Sequence, residues 1–394
     1  MDVRRGLSRG TGRPGTPTGP GRAIDMNFTS TMLTSTWNPV SPDRLAVGGK
    51  RVKELTVAAP GKLHWVERPS PCIEGPLQAL VRPIASCNCD LDRRLIAGAT
   101  PFKLPFAIGH ECVAEVLDVG SAVQTVRRGD VVSVPWKIAC GACEACRAGR
   151  NIVCSSVSKY AAYGVPAGGH WGGLFSECVN VPFADAMLVK VPAGVDPIAA
   201  AAVSDNLTDA WTAASQPLAS RPNARVLVVG GTESLGILAV QMARAAGAAE
   251  VDYFDDDAAR NELAVRSGAT IRSGPDAELH ERYDVVIAAT RAHDRFRTSL
   301  LALRCGGHCS CIGIMFDDPP IPLFQMYMRD VTLSVGLCNV RPHMPRVLDL
   351  IKEGRCDPMV VTPTTFGWED APEALVAPIA KAVLVRPRIT SGLN

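Results

Sequence analysis

The feature that most constrains this chain is Cys140-Gly-Ala-Cys143-Glu-Ala-Cys146, followed by Cys154 eight residues further on. Four thiols at this spacing can wrap one small cation, because each C-x-x-C turn puts two sulfurs on the same side of a short loop. Zinc takes four ligands in a tetrahedron and accepts thiolates readily. The chain has 14 Cys, and residues 1–30 hold no apolar stretch of the kind that opens a secretory leader. A reducing cytoplasm is therefore the expected setting, and there such spacing reads as metal ligation rather than disulfides. Residues 138–156 are expected to form a structural zinc lobe.

Composition narrows the rest. The 394 residues include 41 basic and 39 acidic side chains, for a net charge of +2. That balance gives no electrostatic footprint for nucleic acid or for an anionic membrane. The chain is 47% hydrophobic and 20% charged, enough apolar content to bury a sizeable core. No apolar run reaches the roughly 18 residues that cross a bilayer. The length suggests two domains.

Texture along the chain divides it. Residues 1–50 are rich in Gly, Pro, Arg, Ser and Thr and are expected to be a disordered extension, with Met26 or Met32 as alternative native starts. From Arg51 to about Val191, short alternating segments such as Gln78–Pro83, Glu111–Val119 and Leu174–Val181 predict a β-rich, barrel-like domain. After Ala199 the pattern changes to apolar strands alternating with helices. The predicted helices are Ala199–Ala214, Leu235–Ala246, Ala258–Ser267, Phe296–Leu303 and Met344–Glu353. The predicted strands are Ala224–Gly230, Glu250–Asp255, Tyr283–Ala289 and His308–Ile314, and strand texture returns at Ala382–Val385. Such alternation predicts a parallel, doubly wound α/β sheet.

Two further constellations carry chemistry. Cys87, His110 and Asp205 together supply a thiolate, an imidazole and a carboxylate, a three-ligand set that leaves one zinc position open for substrate. The turn Val229-Gly230-Gly231-Thr232-Glu233-Ser234-Leu235-Gly236 lies between a predicted strand and a predicted helix. It approximates the dinucleotide fingerprint, with Gly231 and Gly236 at the outer positions and Glu233 where the middle Gly is expected. The backbone at Ser234 and Leu235, where the helix starts, would hold the pyrophosphate. Asp255 ends the next strand, 19 residues after Gly236. A carboxylate there accepts hydrogen bonds from a ribose 2′-OH and repels a 2′-phosphate, which favours NAD over NADP.

Cys87, Gly109-His110-Glu111, the four-Cys lobe, Gly172–Glu177 and the glycine turn occur in the order found in zinc-dependent medium-chain dehydrogenases/reductases, the alcohol dehydrogenase superfamily, which the chain resembles from about Arg51 to Arg386. The resemblance implies a GroES-like catalytic domain over residues 51–206 and 339–394 and a Rossmann NAD-binding domain over 207–338. It implies two zinc ions per chain, one catalytic and one structural. In this reading Asp90 orients the zinc-bound His110, Glu111 lies beside the metal, and Lys381 lies near the cofactor phosphates. Zinc would act as a Lewis acid while hydride passes between an alcohol, aldehyde or ketone and NAD. Relatives associate as homodimers or homotetramers through the cofactor domain.

The chain also departs from the family pattern. Cys89 stands where a Ser or Thr usually opens a proton relay, and Asp92 where a His usually closes it. Cys89 is accordingly an alternative zinc ligand. Two other functions stay open at this stage. One is a formaldehyde dehydrogenase or dismutase with tightly held NAD, suggested by Ser204-Asp205, Leu207 and Asp209. The other is a catalytically silent zinc- and nucleotide-binding protein.

Overall fold

The computed structural model describes residues 51–362 and 364–389. The expected extension over residues 1–50 lies outside them. Two large sheets organise the described chain.

The first is a six-stranded sheet in which every pairing is parallel. Across it lie Thr270–Arg272, Glu250–Phe254, Arg225–Val229, Tyr283–Ala288, Leu303–Cys311 and Thr332–Val335. Numbered along the chain this is the order 3-2-1-4-5-6, which reverses beside the first strand and so opens a crevice at the carboxyl ends of the central strands. Arg225–Val229 is central because Val226, Leu227, Val228 and Val229 have no exposed surface on either face. A strand covered by helices on both sides reads as a continuous apolar run. The helix Leu235–Ala245 is buried almost all round; it packs on the sheet and against the helix Asn206–Leu218, which contacts the sheet as well. Ala210, Ala213 and Ala214 face Leu238, Ala239 and Met242 in one core, and small side chains on one helix admit large ones on the other. Each fully buried Leu or Met there contributes roughly 1.5–3 kcal/mol.

The two edge strands, Thr270–Arg272 and Thr332–Val335, were not legible in the sequence. Both are short and neither holds a fully buried residue, so neither needs the apolar run that marks a covered strand.

The second sheet has the order Thr365–Gly367, Val383–Val385, Ala79–Cys87, Glu111–Val119, Val131–Val134, Val189–Lys190, with Val179–Val181 also pairing on Ala79–Cys87. All its pairings are antiparallel except that between Thr365–Gly367 and Val383–Val385. A smaller sheet joins Lys62–Pro69, Arg51–Ala59 and Phe106–Ala107. Cys87 ends its strand opposite Glu111 on one side and Val383 on the other. Residues as far apart in sequence as Cys87 and Val383 are thus brought to one sheet end.

The helix expected over Ala199–Ala214 is broken. Pro197–Ala200 is α-helical, Ala201–Ser204 tightens to a 3-10 turn, and a new helix starts at Asn206. The break is at Asp205, whose φ of −152° and ψ of −92° are not helical. Its side chain makes no capping bond to the helix it precedes, so the carboxylate is free to point elsewhere.

Candidate active site

Past the strand end at Cys87 the chain turns through Asn88–Leu91, and this turn decides which thiol faces His110. One ligand atom each from Cys89, His110 and Asp205 lie within 4.8 Å of one another. The sequence reading put Cys87 in this set, with Cys89 as the alternative; the geometry brings Cys89 there. Cys87 is still in the sheet, fully buried, and its Sγ–H donates to Glu111 Oε2 at 2.9 Å. A side chain locked into a strand register with its sulfur on a neighbouring carboxylate is poorly placed to ligate, whereas Cys89 has left the sheet.

Asp90 does not touch His110. The carboxylate that faces the imidazole is Asp92, whose Oδ1 is 3.5 Å from Nδ1. Both atoms are buried without a hydrogen-bond partner. The other ring nitrogen, Nε2, is 3.5 Å from Asp205 Oδ2. A histidine with one nitrogen on a carboxylate and the other toward additional anionic donors is the usual disposition of a metal-bound imidazole.

Charge points the same way. Burial disfavours a charged His110, yet Asp92 and Asp205 raise its pKa to about 9. Burial, then Asp205, Glu111 and Asp92, push the Cys89 thiol well above its ordinary range. Carboxylates and a thiol crowded together out of water call for a compensating cation, and a divalent ion reverses these shifts by stabilising the thiolate and the neutral imidazole. The donor set of one sulfur, one nitrogen and one carboxylate oxygen suits zinc.

Asn206, which the sequence reading passed over, ties this set together. Its Nδ2 donates to Cys89 Sγ at 3.1 Å and to Asp205 Oδ2 at 3.2 Å. Its backbone N donates to Glu111 Oε1 at 2.7 Å, and its Oδ1 accepts from Lys381 Nζ at 3.0 Å. Lys381 also differs from expectation. It is buried, and Nζ contacts Glu111 Oε2 at 2.6 Å and donates to the Asn88 carbonyl at 2.7 Å. Burial opposes its charge, but Cys87, Glu111 and Asp90 hold it protonated above its usual range. Burial also raises Glu111 to about 7, against the pull of Lys381. No short motif marks Asn206, and the resemblance marks Lys381 without its pairing to Glu111; the tertiary contacts of residues far apart in sequence reveal both roles.

The four-Cys lobe brings Cys140, Cys143, Cys146 and Cys154 within 4.8 Å of one another, ligand atom to ligand atom. All four are free thiols. The Cys143 and Cys154 sulfurs are 3.9 Å apart, close to the edge of about 3.8 Å that a tetrahedron of about 2.3 Å zinc–sulfur bonds requires. Backbone N–H groups of Cys140, Ala142 and Cys143 donate to lobe sulfurs at 3.3–3.4 Å. Such bonds favour thiolates, and although burial opposes it, hydrogen bonds at Ser155 and Cys146 lower Cys143 to about 5.

The glycine turn follows Arg225–Val229 and precedes the helix Leu235–Ala245. Gly231 has φ +128°, a conformation that favours glycine. At Gly230 a Cβ would lie 2.3 Å from Tyr253 Oη and 2.4 Å from Asp255 Oδ2, so the turn hugs the end of the next strand. The turn, the helix start and the strand-end carboxylate are those a dinucleotide uses. Their donors are nevertheless engaged within the chain. Asp90 accepts from Ser234 N, Ser234 Oγ and Leu235 N, and Gly236 N donates to Thr232 Oγ1 at 3.1 Å. Asp255, expected to await a ribose, is held by Arg260 through two bonds of 2.7 and 2.8 Å and accepts from Tyr253 Oη.

Comparison with known proteins agrees with this architecture. Residues 75–193 match the alcohol dehydrogenase GroES-like domain, and residues 234–353 match the zinc-binding dehydrogenase domain. The L-threonine 3-dehydrogenase of Streptomyces coelicolor is 30% identical over 70% of this chain and 81% of its own length. An alcohol dehydrogenase of Geobacillus stearothermophilus is 29% identical over 76% of this chain and 88% of its own. The structure of the alcohol dehydrogenase TADH from Thermus sp. ATN1 superposes with a TM-score of 0.78 at 29% identity, covering 84% of this chain and 99% of that one. With both domains matched and relatives aligned along most of their length, the chain belongs to the zinc-dependent medium-chain dehydrogenase/reductase family.

Proposed function

We propose that the protein is an NAD-dependent alcohol dehydrogenase that binds two zinc ions, one held by Cys89, His110 and Asp205 and one by Cys140, Cys143, Cys146 and Cys154. The observation that carries this reading is the convergence of Cys89, His110 and Asp205 within 4.8 Å, three donors that leave a fourth zinc position for substrate oxygen. The domain limits are residues 51–206 and 339–394 for the catalytic domain and 207–338 for the cofactor domain.

Zinc supplies Lewis acidity when bound, lowering the pKa of an alcohol oxygen or polarising a carbonyl. The chain's own residues set the stage for that. Asp92 stands 3.5 Å from His110 Nδ1, positioned to hold the ring once Nε2 takes a metal. The helix break at Asp205 turns its carboxylate inward, and Asn206 holds it against Cys89. Lys381 keeps Glu111 on the far side of the site, together with Cys87. Two residues after Cys89 stands Leu91, which carries no hydroxyl, so the substrate proton leaves by a path other than a Ser or Thr at that position.

Asp255 supports NAD over NADP, because its carboxylate stands at the strand end where a 2′-phosphate would be repelled. A second copy of the chain is the proposed partner. The helix Leu323–Met328 and the edge strand Thr332–Val335 expose Phe324 at 71%, Tyr327 at 80% and Val335 at 72%. An open sheet edge flanked by apolar side chains is suited to pairing with another chain. Among the described residues no helix is long and apolar enough to cross a membrane.

A panel of primary and secondary alcohols with NAD as acceptor, followed by NADH absorbance, tests the reading. Turnover of at least one alcohol with NAD is the expected result. Turnover with NADP alone overturns the cofactor assignment.

A further inference from the structure

We infer that Asp90 is a resident anion at the cofactor site, and that a dinucleotide must displace it to place its pyrophosphate on the helix Leu235–Ala245. This inference rests on the reading of the glycine turn as a nicotinamide dinucleotide site.

Asp90 lies in the turn after the strand Ala79–Cys87, 144 residues from Ser234. Its Oδ2 accepts from Ser234 N at 3.0 Å and from Leu235 N at 2.8 Å, and its Oδ1 accepts from Ser234 Oγ at 2.6 Å. Asp90 is 3% exposed and Ser234 is fully buried. The contact is therefore a dry, charge-assisted one. Ser234 caps the helix and Leu235 is its first residue. Their N–H groups are among the donors that a helix start offers to phosphate, at the end where the helix dipole favours negative charge. The third donor in line, Gly236 N, is also engaged, by Thr232 Oγ1. Two anions cannot share these donors, and a carboxylate left beside a pyrophosphate would repel it.

Arg291 frames the contact. Its guanidinium donates to the Asp90 carbonyl at 3.4 Å and pairs with Glu233 at 3.1 and 3.2 Å. Glu233 is the residue at the middle fingerprint position. A side chain there, in place of glycine, is tolerated because it points to Arg291. The same cation stands ready beside the helix start once Asp90 leaves.

The consequence is a cofactor site whose affinity is set by competition. Asp90 belongs to the turn that carries Cys89 and Asp92, so displacing it moves the loop of the metal site. Cofactor binding and the arrangement of Cys89 are thereby linked through one short segment.

Isothermal titration of wild type, Asp90→Asn and Asp90→Ala with NADH, and separately with inorganic pyrophosphate, tests this. A far-UV circular dichroism spectrum and a cooperative thermal transition, measured first, show that each variant is folded. Both variants are expected to bind NADH about tenfold tighter than wild type, the scale of a charge at a helix terminus, and pyrophosphate binding is expected to tighten in parallel. Their melting temperatures are expected to fall without cofactor, and at one fixed NADH concentration to rise by more than that of wild type, whereas loss of a purely structural cap would leave the NADH-induced rise no larger than in wild type. NADH binding that is unchanged or weaker in both folded variants, with wild type binding normally, overturns the role of Asp90 alone. If wild type and variants all fail to bind NADH and NADPH, the dinucleotide reading falls and this inference falls with it.

Discussion

Asp92 Oδ1 lies 3.5 Å from His110 Nδ1, and neither atom has a hydrogen-bond partner. The pair is aligned but slack, as expected of a carboxylate and an imidazole that close up when the opposite ring nitrogen takes a metal. Cys89 and Asp92 are three residues apart, as are Cys87 and Asp90. The sequence offers the same ligand-and-carboxylate spacing twice, displaced by two residues, and the fold selects the later copy.

That selection has a direct test in metal content. Cys89→Ala is expected to lose one of two zinc equivalents, and Cys87→Ala to keep both. Elemental analysis of the purified proteins decides it. Loss of zinc from Cys87→Ala, with Cys89→Ala unaffected, would restore the assignment read from the sequence. Cys143→Ala is expected to lose the other equivalent, because a tetrahedral sulfur site missing one corner binds poorly.

Asn206 and Asp92 bear on how tightly that zinc is held. Partners that orient metal ligands typically change metal affinity by about 10- to 100-fold. Asn206→Ala and Asp92→Asn are each expected to speed zinc loss to a chelator by a factor in that range. The lobe zinc, released as a separate kinetic phase, is expected to be unchanged.

Cofactor choice turns on Asp255 and Arg260. With Asp255 in place, the guanidinium is neutralised by two short bonds. Asp255→Ala removes the repulsion and frees Arg260 for a 2′-phosphate. The expected outcome is a gain in NADPH affinity of at least about tenfold, equivalent to one lost charge interaction, seen by comparing NADH and NADPH titrations.

Retention of cofactor separates the proposed enzyme from one that holds NAD permanently. Because Ser234 N and Leu235 N already serve Asp90, extensively washed wild-type protein is expected to release no nicotinamide on denaturation. A stoichiometric amount in the supernatant would favour the formaldehyde dehydrogenase or dismutase reading.

Asp185, which is not one of the proposed metal ligands, contributes to the dependence of stability on pH. Burial opposes ionisation of Asp185, but hydrogen bonds from Thr125 and Gln124 outweigh it and hold its pKa below the ordinary 3.8. A carboxyl depressed in the folded state stabilises above its unfolded pKa, and that stabilisation disappears as pH falls through the folded value. Asp185→Asn is expected to cost at most about 1 kcal/mol at pH 7, since the site is partly exposed. The difference from wild type should shrink as pH falls below the ordinary 3.8, as read by urea unfolding at pH 7 and at successively lower pH.

The parallel sheet was legible because its central strands are covered on both faces and must be apolar throughout. Its edges were not, because exposed strands carry no such requirement. The four-Cys lobe was legible for a different reason: its four sulfurs come from one short loop, so spacing along the chain nearly determines spacing in space. Cys89, Asn206 and Lys381 come from three distant segments, and their meeting depends on where one strand stops, where one helix breaks and how the carboxyl-terminal strand returns. No local pattern encodes those events. Asp205 was identified by residue type, but the backbone break that frees its carboxylate was hidden inside what reads as one continuous helix.

The carboxyl-terminal strand Val383–Val385 lies against Cys87 and delivers Lys381 to Glu111. During synthesis the lobe sulfurs, all within Cys140–Cys154, emerge together and can capture their ion early. The other centre lacks its buried lysine until residue 381, more than 220 residues after the lobe, has been made. A chain cut just before Lys381 would therefore keep all four lobe sulfurs while leaving Glu111 buried without its cation.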